Sequence, residues 1–204
     1  MSNTAQIYLK TPEQFDPTEF GVALAGILDA TPIACLRIAM TTSDTGILGR
    51  AADTLREICH RRDVAIVIDD HFRLVEPYGL DGVHLNDSTR TIREARKFLG
   101  KEAIIGVYCG ASRHAGMTAA EIGADYVCFG PLEDRGLGDG NIATADLFQW
   151  WSEMIEVPIV AEGNLTANSL QNIKNFTDFI CIGPEIWTSD DPQTSLAGLV
   201  KALA

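Results

Sequence analysis

Two acids, an arginine and a histidine stand within or just after short apolar runs, where a parallel sheet presents side chains to a binding face. Asp69 and Asp70 follow the run 64–68. Adjacent carboxylates are hard oxygen donors suited to Mg²⁺, which takes one or two of them and completes its shell with water or phosphate oxygens. Either could be a metal ligand. Without a metal, Asp70 would cap the next helix and Asp69 would neutralise a buried cation. Arg37, inside the apolar run 33–39, is that cation. A buried guanidinium needs an anion, and a ligand phosphate or an acidic neighbour would serve equally. His84 lies in the run 82–85. It reads either as an acid–base group or as a satisfied core histidine, the commoner arrangement. Arg37, Asp69, Asp70 and His84 form the expected catalytic set.

A second group would bind phosphate. Gly183-Pro184-Glu185 forms a turn able to aim backbone N–H groups at an anion, although Pro184 removes one donor and Glu185 adds repulsion. Gly163, between Glu162 and Asn164, permits close backbone approach. Arg113, His114 and Arg135 are the candidate cations, and Tyr108 is placed to reach the mouth. Cys109 with His114 would make a thiol–base pair, but a plain buried thiol is the simpler reading. The glycine-rich loop 133–141 reads as a lid or as an ordinary surface loop.

These residues need a frame. Strands are expected at 6–9, 33–39, 64–68, 82–85, 104–108, 126–129, 158–161 and 179–182. Helices are expected at 17–28, 44–61, 89–99, 112–122, 144–155, 166–175 and 194–203. Only a short one fits at 70–78, where Pro77 limits it. Asp16 before Pro17 is an N-cap with proline at the first helical position. Ser88 would cap the helix from 89. Gly100 and Gly123 close two others. Strict alternation implies a parallel sheet. Eight units in 204 residues favour a closed (β/α)8 TIM barrel, which runs to roughly 200–250 residues. The segment after Leu9 lacks the glycine-rich turn of a doubly wound sheet. Residues 1–204 read as one domain.

A formal net charge of −12 repels phosphate backbones, so no nucleic acid is expected. No apolar run reaches the roughly 20 residues that cross a membrane, and no signal peptide is visible. Five cysteines without C-x-x-C spacing fit reduced thiols in a cytoplasmic protein. No organic cofactor is expected.

The stretch DGVHLNDSTRTIREARKFLGKEAIIGVYCGASRHAGMTAAEIGADYVCFGPL, residues 81–132, resembles the thiamine phosphate synthase family, which reads DGVHLG, IIGVS and GADYVGFGP at the same spacing. VIDDHFRL at 67–74 resembles the family's INDD strand end. IACLRIAM at 33–40 stands where the family has Gln-x-Arg-x-Lys, with Arg37 matching, Cys35 for glutamine and Ala39 for lysine. The resemblance implies a barrel that joins a pyrimidine diphosphate to a thiazole phosphate, with Mg²⁺ stabilising the departing pyrophosphate. It implies small phosphorylated heterocyclic substrates and permits a homodimer. It assigns Asp69 to the metal and matches Asp70 and His84.

Several positions depart from the family pattern. Thr89 replaces the second metal carboxylate, with Asp87 close by. Tyr108 replaces the serine of GVS. The family's PTxTK phosphate loop is LEDRGLGDGN here. Two alternatives follow. One is a thiazole tautomerase-like isomerase using His84, His114 or Glu162 as base. The other is a non-catalytic barrel that binds a phosphorylated metabolite, with Trp150, Trp151 and Trp187 as a contact patch.

Overall fold

The computed structural model describes residues 5–87, 89–134 and 140–203. Ser88, the centre of the loop 133–141 and Arg135 lie outside the described residues, and the helix expected from 89 instead starts at Ile92, with Thr91 at its N-cap position. Eight parallel strands follow one another in chain order: β1 (Gln6–Lys10), β2 (Cys35–Ile38), β3 (Ala65–Asp69), β4 (Gly82–Leu85), β5 (Ile104–Tyr108), β6 (Tyr126–Phe129), β7 (Ile159–Glu162) and β8 (Phe179–Ile182). Each pairs with the next, and β8 returns to β1, so the ring is closed. The fold is a (β/α)8 TIM barrel, as the alternation required.

The surrounding helices are α1 (Pro17–Ala30), α2 (Thr45–His60), α3 (Val75–Tyr78), α4 (Ile92–Leu99), α5 (Arg113–Ile122), α6 (Ala145–Met154), α7 (Ala167–Ile173), α8 (Pro184–Trp187) and α9 (Pro192–Leu203). Asp16 caps α1 as expected, accepting from Thr18 and Glu19 N–H. Asp191 accepts from Thr194 N–H, so α9 starts at Pro192, two residues before the expected position. Proline fits there because the first helical N–H needs no intrahelical partner. The weak unit after β3 is a 3₁₀ turn (Phe72–Leu74) running into the four-residue α3. The glycine-closed ends are real: Gly123, at φ 106°, ends α5 in the left-handed region that excludes most side chains.

Alternation along the strands separates two cores. Outward residues such as Leu36, Ile66, Val83 and Ile105 pack under the helices with Leu55, Phe148 and Trp151. Inward residues Tyr8, Cys35, Val67, Tyr126, Cys128, Val160 and Cys181 form a separate cluster inside the ring. Gly106 makes room for it, since a Cβ there would lie 1.8 Å from Tyr126 Cζ. At the N-terminal rim, Asp81, Asp125 and Asp178 each accept from a backbone N–H at the start of the preceding strand, at Ile66, Ile105 and Ile159. These bonds tie adjacent strands together and leave the opposite, C-terminal rim to carry chemistry.

All five cysteines are buried and free. Cys109 donates weakly to Val107 O, and burial pushes its thiol up to about 12, which fits an inert core thiol. Among the described residues, no helix is long and apolar enough to cross a membrane. Trp151 is buried and donates to Val157 O, and Trp187 donates to Lys10 O. Packing inside the fold therefore accounts for both.

Candidate active site

The inward-facing side chains near the C-terminal rim make one ionic assembly. Arg37 from β2 is 1% exposed. Its Nη1 donates to Glu162 Oε2 at 2.9 Å and its Nη2 to Oε1 at 2.5 Å. Lys10 from β1 adds a third bond to Oε1 at 2.9 Å, and Cys128 Sγ lies 3.2 Å from Oε2. A buried guanidinium meeting a carboxylate through both nitrogens is the strong, directional form of this contact. Burial alone would raise the Glu162 carboxyl, but Arg37 and Lys10 overcome it and hold the group well below the usual carboxylate range. Glu162 therefore stays ionised and is a poor base. The expected internal partner of Arg37 was Asp69 or Asp70; the principal one is Glu162, brought in from 125 positions away.

Asp69 is different. Its Oδ1 sits 3.2 Å from Arg37 Nε, but the two are not aligned for a hydrogen bond, and both atoms are buried without one. Arg37 and Lys10 pull the carboxyl down, yet desolvation outweighs them and pushes it up to about 6. The like charges of Glu162 and Asp70 add to the effect of burial. Asp70, at φ 55°, turns away, and its carboxylate accepts from Asn86 N and Nδ2. Asp87 accepts from Thr91 Oγ1. Among the described residues, no group of three His, Cys, Asp or Glu side chains is arranged to hold a metal ion.

His84 is fully buried deeper in the ring. Its Nδ1 lies 2.9 Å from Tyr126 OH, which in turn contacts Tyr8 OH at 2.7 Å. Burial, then Arg37, pushes its pKa well below the usual value, so it is neutral at physiological pH. Its Nε2 has no hydrogen-bond partner among the described residues. This is the core-histidine arrangement, with Tyr126 as its partner.

Two hollows open at the rim and meet at Lys10. One, of about 670 Å³, is lined by Lys10, Glu162, Gly163, Leu165, Gly183 and Glu185. The other, of about 600 Å³, is lined by Lys10, Ala39, Thr41, Asp69, Asp70 and Asn86. Residues 7–189 match the family model described as thiamine monophosphate synthase. The chain belongs to that family. A thiamine-phosphate synthase of Rhodospirillum centenum is 38% identical over 184 residues, covering 89% of each chain. One of Erythrobacter litoralis is 42% identical over 146 residues, 70% of this chain and 68% of its own. In fold, the chain superposes on a thiamine phosphate pyrophosphorylase of Pyrococcus furiosus with TM-score 0.84 at 20% identity, covering 99% and 96% of the two chains.

Against the family pattern, the structure relocates several expected groups. Gly163 and Gly183 do face the larger hollow. The Gly183 N–H, however, already donates to Glu185 Oε2. Tyr108 donates its hydroxyl to Gly130 O. Arg113 is directed to the side of the barrel, over the Trp150 ring at 4.9 Å and onto Asp146 O. It is therefore absent from the lining of both hollows, and so is exposed His114 on the same turn. The cation that sequence reading missed is Lys10. The expected strand stopped at Leu9, although inward Tyr8 places residue 10 on the same face. Lys10 borders the same hollow as Ala39, so it returns a positive charge near the point where the family's lysine is lost.

Proposed function

We propose that this barrel is a thiamine phosphate synthase that couples a pyrimidine diphosphate to a thiazole phosphate. The observation that supports it best is the pair of adjoining hollows sharing Lys10, which suits two small substrates meeting at one cation. When the pyrimidine carbon parts from pyrophosphate, negative charge grows on the departing oxygens. Fixed positive groups in a water-poor mouth stabilise that charge most. Lys10 supplies one, because a single Glu162 contact leaves an ammonium two further N–H groups. Arg37 spends its Nη atoms on Glu162 and acts as a positioning residue, fixing the carboxylate that in turn orients Lys10.

Mg²⁺ fits this mouth through one protein carboxylate. The Asp69 carboxylate, 18% exposed where it lines the smaller hollow, is the group that would hold it, with water and substrate phosphates as further ligands. Bound there, the ion would offset charge on the leaving pyrophosphate. Asp70, held by Asn86, orients the loop beside Asp69 rather than supplying a free ligand.

The isomerase reading is weaker. Glu162 is held ionised by two cations, His84 is buried and neutral, and His114 lies outside both hollows. Residues 1–204 as one domain, a cytoplasmic setting and a homodimer belong to the same proposal. The test is direct. Purified protein incubated with both substrates and Mg²⁺ should release pyrophosphate and form thiamine phosphate in equal amounts. Product no higher than an enzyme-free blank, at micromolar protein, refutes the proposal.

A further inference from the structure

Loops after the seventh and eighth strands of such barrels commonly cradle a phosphate with backbone N–H groups. Here those loops border the 670 Å³ hollow, and two of the backbone amides in its lining are already taken. Gly183 N–H donates to Glu185 Oε2 at 2.9 Å, and Leu165 N–H approaches Oε1 at 3.4 Å. One carboxylate thus bridges the two loops, with an oxygen for each. Gly163, at φ 88°, gives the first loop the backbone conformation that brings Leu165 round to face it. Nearby charge deepens the effect. Among the described residues lining the hollow, Lys10 is the cation, and its contact with Glu162 offsets part of its charge. A phosphate dianion entering this hollow meets Glu185 as a like charge and finds the Gly183 and Leu165 donors occupied.

We propose that Glu185 is a tethered anion that occupies the phosphate cradle and sets the affinity and selectivity of this site for phosphorylated ligands. The inference rests on the proposed coupling function in that the thiazole phosphate is the ligand whose phosphate displaces the carboxylate. Binding then requires the Glu185 side chain to swing out. The two amides pass from carboxylate to phosphate oxygens without a change in their number of hydrogen bonds. A neutral hydroxyl in place of the phosphate would not displace it, so the carboxylate favours ligands that bring at least two acceptor oxygens. This makes Glu185 a specificity-determining residue and not a catalytic one.

Inorganic phosphate is the probe, titrated calorimetrically into wild-type protein, Glu185→Ala and Glu185→Gln. Removing the carboxylate should tighten phosphate binding about tenfold in Glu185→Ala, the scale of one charge-assisted contact. Glu185→Gln keeps an acceptor but loses the charge, and should fall between. If Glu185→Ala does not fold, as judged by circular dichroism, the comparison of Glu185→Gln with wild type decides. Equal dissociation constants overturn the proposal, as does weaker binding in the variants or an absence of phosphate binding in every protein. In coupling assays, the KM for thiazole phosphate should fall in Glu185→Ala while the KM for the pyrimidine diphosphate stays fixed. The two ideas fail separately. Absence of coupling with a tenfold phosphate effect removes the enzyme reading alone. Normal coupling with unchanged phosphate affinity removes the role of Glu185 alone.

Discussion

Replacing Glu162 with glutamine tests the ionic assembly that organises the mouth. The substitution conserves shape but deletes the charge facing Arg37 and Lys10. One amide oxygen can still accept, but the amide nitrogen must face an Arg37 N–H, donor against donor. Removing one member of a buried ion pair costs about 3–5 kcal/mol, because the other is left uncompensated. Asp69 remains beside Arg37 and Lys10 is 26% exposed, so the low end, about 3 kcal/mol, is expected. In a chain of this length, each kcal/mol shifts the melting temperature by roughly 2–4 °C, so the drop should be about 6–12 °C. At pH 7, urea unfolding measures the free-energy loss and a thermal melt the temperature drop, both followed by circular dichroism. The double variant Arg37→Met with Glu162→Met should recover most of the loss, since apolar pairs can replace buried ion pairs at little cost. A Glu162→Gln variant within about 1 kcal/mol of wild type, below the cost of breaking any buried pair, would refute the reasoning. Glu162 is depressed below its ordinary value of 4.5, so its contribution is fully present above 4.5 and is lost as pH falls toward the depressed value.

Other outcomes follow from neighbouring residues. Asp69 has the opposite sign. A carboxyl raised from 3.8 to about 6 favours the folded state when protonated, and that contribution disappears as pH rises through 6. Asp69→Asn should therefore leave stability at pH 8 unchanged or higher, while abolishing any response of coupling to Mg²⁺; a strongly destabilised variant would contradict this. Tyr126→Phe strands both Tyr8 OH and His84 Nδ1 and should cost about 1–3 kcal/mol in denaturant titrations, with no effect at all as the contrary result. Gly106→Ala forces a methyl to within 1.8 Å of Tyr126 and should cost at least about 1–3 kcal/mol or prevent soluble expression. A fully stable Gly106→Ala protein would show that the inner cluster can shift.

Much of this protein is written locally. Short apolar runs alternating with capped amphipathic stretches dictate eight strand–helix units. Asp16 before Pro17 and Gly123 after Ile122 place helix ends within a residue, because caps depend on neighbours in the chain. The same runs place Arg37, Asp69 and Glu162 at strand ends that share one rim once the ring closes. Which anion holds Arg37 is not written locally. Asp69 stands nearer in sequence, but β7 brings Glu162 across the mouth and its carboxylate meets the guanidinium squarely. Nor does sequence show that Lys10 turns inward beside them, that Arg113 stacks on Trp150, or that Glu185 folds back onto the Gly183 amide. Those outcomes depend on side-chain direction and on distances between segments far apart in the chain. Strand-to-strand register fixes both, and only the closed ring sets that register.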